Sequence, residues 1–143
     1  MSPAEAFLAA LSTALANDGA LGALLASGRG VALSAPFPAY LEAAPPDEPY
    51  PYITFSIPSD NAWDVSEGFG AEALIDVHSW TRGTSPTANF ALRSRIEAIC
   101  RDPAWTLSGF NLVLCRPSAR RMMGEDQQIF HGVVTLRVLI EAW

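Results

Sequence analysis

Residues 71–101 read AEALIDVHSWTRGTSPTANFALRSRIEAICR, and the fold turns on this stretch. Ala73, Ile75 and Val77 alternate with Leu74, Asp76, His78 and Trp80, the period of two that belongs to a strand. Thr81-Arg82-Gly83 breaks the run. Thr84 or Ser85 then offers an oxygen to cap a helix, with Pro86 at the first helical position, where its missing N–H costs nothing. Leu92, Ile96 and Ile99 recur at helical spacing, with Ala88 and Cys100 on the same side and Arg93 and Glu97 off it. A strand feeding a helix whose apolar stripe folds back onto it is a small α+β core in itself.

Upstream, Ser2 and Pro3 open a helix from Pro3 to Ala16, with Phe7, Leu8, Leu11 and Leu15 as its stripe. Asn17-Asp18-Gly19 ends it, and a short second helix is expected over Ala20 to Ala26, with Gly28 as its stop. The stripes are alanine-thin and need a sheet to pack on. Val31 to Leu33 reads as a short strand, and the six prolines between Pro36 and Pro51 make the next segment an exposed acidic loop. Tyr52 to Ile57 alternates as a strand, and Pro58 to Gly70 is a loop joining it to the central strand as a hairpin.

Downstream, Asp102-Pro103 stops the helix. Leu112 to Arg116 is a strand, Pro117 to Asp126 a loop, and Ile129 to Ile140 the last strand, with Phe130, Val134, Leu136, Val138 and Ile140 on one face. The expected fold is α+β: one domain over residues 1–143, with a mainly antiparallel four- to five-stranded sheet. The N-terminal helices and the central helix pack on one face of it. Phe7, Leu11, Leu15, Ile75, Val77, Leu92, Ile96, Ile99, Val134, Leu136 and Val138 are the expected core.

The 143 residues suffice for one domain with a real core. No window approaches the roughly 18–20 apolar residues of a membrane span, and the start reads as an ordinary helix rather than a secretion signal. The net charge of −6 argues against a protein whose main task is gripping DNA phosphates. Every basic residue is arginine. Residues 30–81 carry eight acids and no base, net −8, whereas residues 82–143 carry eight arginines and five acids, net +3. Such a division suggests that unlike faces meet, within the molecule or between copies.

No catalytic set stands out. Asp76 and His78 share a strand face without a nucleophile motif, and His78 and His131 read as structural histidines among apolar neighbours. Gly28-Arg29-Gly30 and Gly68-Phe69-Gly70 do not extend to a phosphate fingerprint, so no cofactor is expected. Cys100 and Cys115 fit no metal spacing and read as buried free thiols. Arg116, Arg120 and Arg121 read as a solvated hairpin face or a protein contact, with phosphate as the lesser use. Trp63 reads as an interface residue, and Trp80 as either an interface residue or a cover for the core edge, since Trp and Arg are enriched where subunits meet.

Taken in order, the segments resemble the tail terminator or tail completion family of long-tailed bacteriophages and gene transfer agents. The resemblance runs through ALANDGALGALLASGRG (14–30), PYITFSI (51–57), EALIDVHSWTR (72–82), NFALRSRIEAICRD (89–102) and LSGFNLVLCRPSARRMMGEDQQIFHGVVTLRVLIE (107–141), and the chain departs from the pattern in its longer loop from Ala35 to Pro51. The resemblance implies a structural, non-enzymatic protein at the neck of a phage or phage-like particle, made in a bacterial cytoplasm. It would be a homo-oligomer, commonly a hexameric ring, that caps the tail tube and docks to a head-side connector or stopper, with DNA only passing through. On this reading Tyr50, Trp63, Asp64, Trp80, Arg82, Arg116, Arg120 and Arg121 are the expected subunit or partner contacts. The alternatives are another adaptor or stopper ring of the head–tail junction, or a non-viral small-molecule-binding α+β domain.

Overall fold

The computed structural model describes residues 1–63 and 69–142. Helix α1 (Pro3–Asn17) begins in a capping box: the Ser2 hydroxyl accepts from the Glu5 N–H at 3.2 Å, and the Glu5 carboxylate accepts from the Ser2 N–H at 2.7 Å. Asp18 ends α1 and caps α2 (Gly19–Arg29), accepting from the Leu21 N–H at 2.8 Å. Helix α2 runs past the expected stop at Gly28. Its terminator is Gly30, whose φ of 71° is the left-handed conformation that closes a helix at no steric cost.

Five strands follow: β1 (Ala39–Leu41), β2 (Tyr52–Ala62), β3 (Phe69–Arg82), β4 (Asn111–Glu125) and β5 (Ile129–Ala142), with α3 (Thr87–Cys100) between β3 and β4. Their order across the sheet is β1-β2-β3-β5-β4. All neighbours are antiparallel except β1 and β2, which run parallel, so the sheet is mixed. Residues Val31 to Leu33 are not a strand; the parallel pairing begins at Ala39 instead.

Two prolines that read as strand breakers lie inside strands. Pro58 falls where the β2–β3 register shifts between Ser56 and Ser59, beyond the reach of β1, so β2 continues to Ala62. Pro117 lies in β4, an edge strand, beside a second register shift, and β4 continues to Glu125. A missing N–H costs little at an edge or a bulge.

Helix α3 starts one residue later than expected. Pro86 precedes it, and the Ser85 hydroxyl accepts from the Thr87 N–H at 3.2 Å. All three helices contribute to one hydrophobic core on the same face of the sheet. Every expected core residue is buried except Ile99, which is partly covered. At the head of α3 the inward position belongs to Asn89, fully buried, rather than to exposed Ala88. Its Nδ2 donates to the Ser79 carbonyl at 2.8 Å and the Phe130 carbonyl at 2.9 Å, and its Oδ1 accepts from the Ser79 hydroxyl at 2.7 Å. A polar side chain is stable there because each of its groups is satisfied.

Candidate functional site

The second face of the sheet carries no helix among the described residues, and its side chains cover one another. Register places Tyr52 opposite Trp80, and Trp80 opposite His131. The rings form a ladder: Tyr50 to Tyr52 at 5.1 Å between centroids, Tyr52 to Trp80 at 6.0 Å, Trp80 to His131 at 3.7 Å and 11° from parallel. Arg82 lies 4.7 Å above the Tyr50 ring. The Trp80 indole N–H donates to the Thr54 hydroxyl at 3.1 Å. Burial, helped by Tyr50, pushes the Tyr52 phenol up to about 12.

Register also places two histidines together. His78 Nδ1 lies 2.6 Å from His131 Nε2, although 53 positions separate them in sequence. His78 Nε2 is 3.2 Å from the Ser56 hydroxyl, and His131 Nδ1 is 3.4 Å from the Glu125 carboxylate. Next to this chain, the Thr135 hydroxyl donates to Asp76 at 2.6 Å. Asp76 and His78 therefore have separate partners and do not form an acid–base pair. Burial holds both histidines below their ordinary pKa of 6.5.

Of the expected contact residues, Tyr50, Trp80 and Arg82 gather at one end of this face. Trp63 lies at the other end of the sheet, half-buried, its N–H donating to the Gly70 carbonyl at 3.0 Å. Ten strand residues separate Gly70 from Trp80, roughly 33 Å. Asp64 lies outside the described residues. The three hairpin arginines divide. Arg120 turns to the helix side and pairs with Glu97 at 2.7 Å, and Arg116 pairs with Asp102 at 3.0 Å. Arg121 faces the open side, opposite Val133, and makes no ion pair among the described residues.

The strand order sorts the charges. The edge formed by β1 and the far half of β2 carries Glu42, Asp47 and Asp60, all exposed. Its proline loop is braced from below: Glu48 accepts from the Tyr40 hydroxyl and pairs with Arg29 at 3.0 Å, while Arg29 Nε also donates to the Pro51 carbonyl at 2.9 Å. The opposite edge, β4, carries Arg116, Arg120 and Arg121, and Arg93 reaches it from α3 by donating to the Arg121 carbonyl at 3.3 Å.

Chemistry is sparse elsewhere. A groove of about 720 Å³ between α1, α3 and the segment after α3 is floored by Ala6, Ala10 and Ile99 and walled by Trp105. Among the described residues no cluster of His, Cys, Asp and Glu could hold a metal. Both cysteines are buried and unpaired with each other. Among the described residues no single helix is long and apolar enough to cross a membrane, and α1 and α2 meet at a 61° bend.

The described residues thus present two oppositely charged edges, a ladder of stacked rings and a braced acidic loop. The chain belongs to the tail completion protein gp17 family, whose model matches residues 9–141, and is a structural tail-completion protein of a phage-like particle. It is also similar in fold to a chain of a solved structure described as the virion of a native gene transfer agent particle. The TM-score is 0.76 at 18% identity, covering 98% of each chain. Among curated protein sequences, none matches this chain.

Proposed function

We propose that the protein assembles into a closed ring, of six copies by the family resemblance, that ends the tail tube and joins it to the head-side connector, with DNA only passing through its channel. The observation that carries this reading is the placement of acids on one edge of the sheet and arginines on the other. A ring needs a heterologous contact, in which one patch meets a different patch on the next copy. Opposite charges on opposite edges give such a contact a direction, and they steer association and register more than they supply affinity. Tyr50, Trp80 and Arg82 contribute the aromatic and arginine composition of binding hot spots beside the acidic loop. Trp63, at the far end of the sheet, belongs to a second contact, with tube or connector. The solved gene transfer agent virion, which contains a chain of this fold, is consistent with a place inside such a particle.

The test is a pair of charge reversals. Asp47→Arg with Asp60→Arg makes both edges basic; Arg116→Glu with Arg121→Glu makes both acidic. Each variant alone is expected to stay folded and sediment as a smaller species than wild type. Mixed one to one, they are expected to restore the ring by alternating, which a six-membered ring permits. Wild-type rings should also loosen with salt, since exposed charges are screened within about 10 Å at 0.1 M. Unchanged rings in both variants would exclude these edges as the subunit contact.

A further inference from the structure

Four groups cross the open face in a line, each on a different strand: Ser56 on β2, His78 on β3, His131 on β5 and Glu125 on β4. An ionised carboxylate only accepts hydrogen bonds. Glu125 therefore accepts a hydrogen bond from a protonated His131 Nδ1. That leaves His131 Nε2 as an acceptor, so the bond to His78 requires a proton on His78 Nδ1. His78 Nε2 is then the acceptor for the Ser56 hydroxyl. One carboxylate at one end fixes both tautomers and the direction of every bond.

We infer that these four residues form a proton-holding latch across the long strands of the sheet, one that takes up a first proton without losing a hydrogen bond and opens at the second. The first proton arrives at His78 Nε2. The proton on His78 Nδ1 passes to His131 Nε2, across 2.6 Å. His131 is now the cation, held by Glu125 on one side and stacked on Trp80, where a positive ring is favoured. His78 is again neutral, with its proton moved from Nδ1 to Nε2, and the Ser56 hydroxyl turns from donor to acceptor. Every bond persists: the Ser56–His78 and His78–His131 bonds reverse direction, while His131 Nδ1–H still donates to Glu125. A second proton has no such place: it puts two N–H groups and two positive charges face to face, and the middle of the latch breaks.

The charged groups around the pair come from two strands. Asp76 on β3 and Glu125 on β4 favour protonation, Arg121 on β4 opposes it, and β2 contributes only the neutral Ser56, Thr54 and Tyr52. Burial adds to the opposition, so both steps fall below pH 6.5. Two sites coupled this closely titrate as a pair, with steps separated by more than about one pH unit.

The experiment is a pH titration of full-length protein labelled with ¹⁵N in its histidine rings, read by long-range ¹H–¹⁵N correlations. Above pH 7 both rings are expected as the Nδ1–H form. After the first step His131 should carry protons on both nitrogens while His78 has switched to the Nε2–H form. After the second, ring and amide signals along residues 120–133 should shift together as the hairpin end loosens. Glu125→Ala, at an exposed site, should keep the amide pattern of the folded protein yet leave the neutral rings as a mixture of tautomers. Ser56→Ala should leave the neutral tautomers as they are. Two histidines titrating independently in single steps, or a Glu125→Ala protein with unchanged tautomers, would overturn the latch.

Discussion

The side-chain amide of Asn89 occupies the space directly over Gly132, where a Cβ would overlap its Oδ1. The two residues are on α3 and β5, and the closeness locks the head of the helix to the sheet. Gly132→Ala must push Asn89 away from its four carbonyl and hydroxyl partners, or bend β5. An overpacking cost of about 1–3 kcal/mol is expected. Asn89→Ala removes the amide instead and leaves the Ser79 hydroxyl and the Ser79 and Phe130 carbonyls short of partners, at a cost of about 2 kcal/mol or more. Urea unfolding of both variants checks this, and a wild-type midpoint in either would show that the lock carries no stability.

The sheet core allows a sharper contrast. Leu136 is fully buried beneath the helices, and an aliphatic side chain so placed is worth roughly 1.5–3 kcal/mol. Leu136→Asp adds the cost of a buried, unpaired carboxylate and should prevent folding, as should Ile96→Asp on α3. Arg120→Ala, which deletes an exposed partner of Glu97, should cost less than about 1 kcal/mol. Circular dichroism and soluble yield separate the two outcomes; soluble, cooperative Leu136→Asp protein would contradict the assigned core face.

Acid should weaken the fold in two stages. His78 and His131 titrate below 6.5 in the folded chain, chiefly because they are buried. Between that depressed value and 6.5 the unfolded chain binds more protons, so stability falls as pH drops through this window and levels off beneath it. Asp18 acts in the same direction at lower pH. Its hydrogen bonds to Arg95, at 2.6 and 2.8 Å, hold it below 3.8, so its contribution is complete above 3.8 and is lost as pH falls through the depressed value. Urea midpoints from pH 8 to pH 3 should show both descents. In the His78→Gln, His131→Gln double variant the upper one should vanish and the lower one remain.

Both thiols should be silent in the native state. Burial pushes Cys115 up to about 12 and Cys100 higher still, and the Cys115 thiol donates to the Cys100 carbonyl at 3.2 Å. Thiolate is the reactive form, so alkylation at pH 8 should label neither residue until the chain unfolds, and then both. Labelling of native protein, read by intact mass, would place one of them nearer solvent.

Much of this was legible in the sequence because strands and helices announce themselves by period. Ile75, Val77, Leu136 and Val138 alternate cleanly, and all are buried. Period says nothing about a proline at an edge, so Pro58 and Pro117 read as breaks although both strands run on. Apolarity ranked Ala88 above Asn89, because the partners that make a buried amide stable are on β3 and β5. The arginines of 116–121 formed one cluster in sequence, but strand alternation sends Arg120 to the helix side and Arg121 to the open side. The histidines were each legible as structural. Their pairing depends on the register of β3 on β5, which no local pattern encodes.

Pro117 and the two register shifts of β4 have a consequence for how this edge meets a neighbour. A long, flat edge offers a row of free N–H and C=O groups that a strand of any other chain can match. Here the row is interrupted twice, lacks one donor outright and bristles with arginine. Backbone-to-backbone zippering along this border is thereby disfavoured, and what the edge offers outward is side chains. A border so broken is a poor template for the stacked, in-register strands of a fibre.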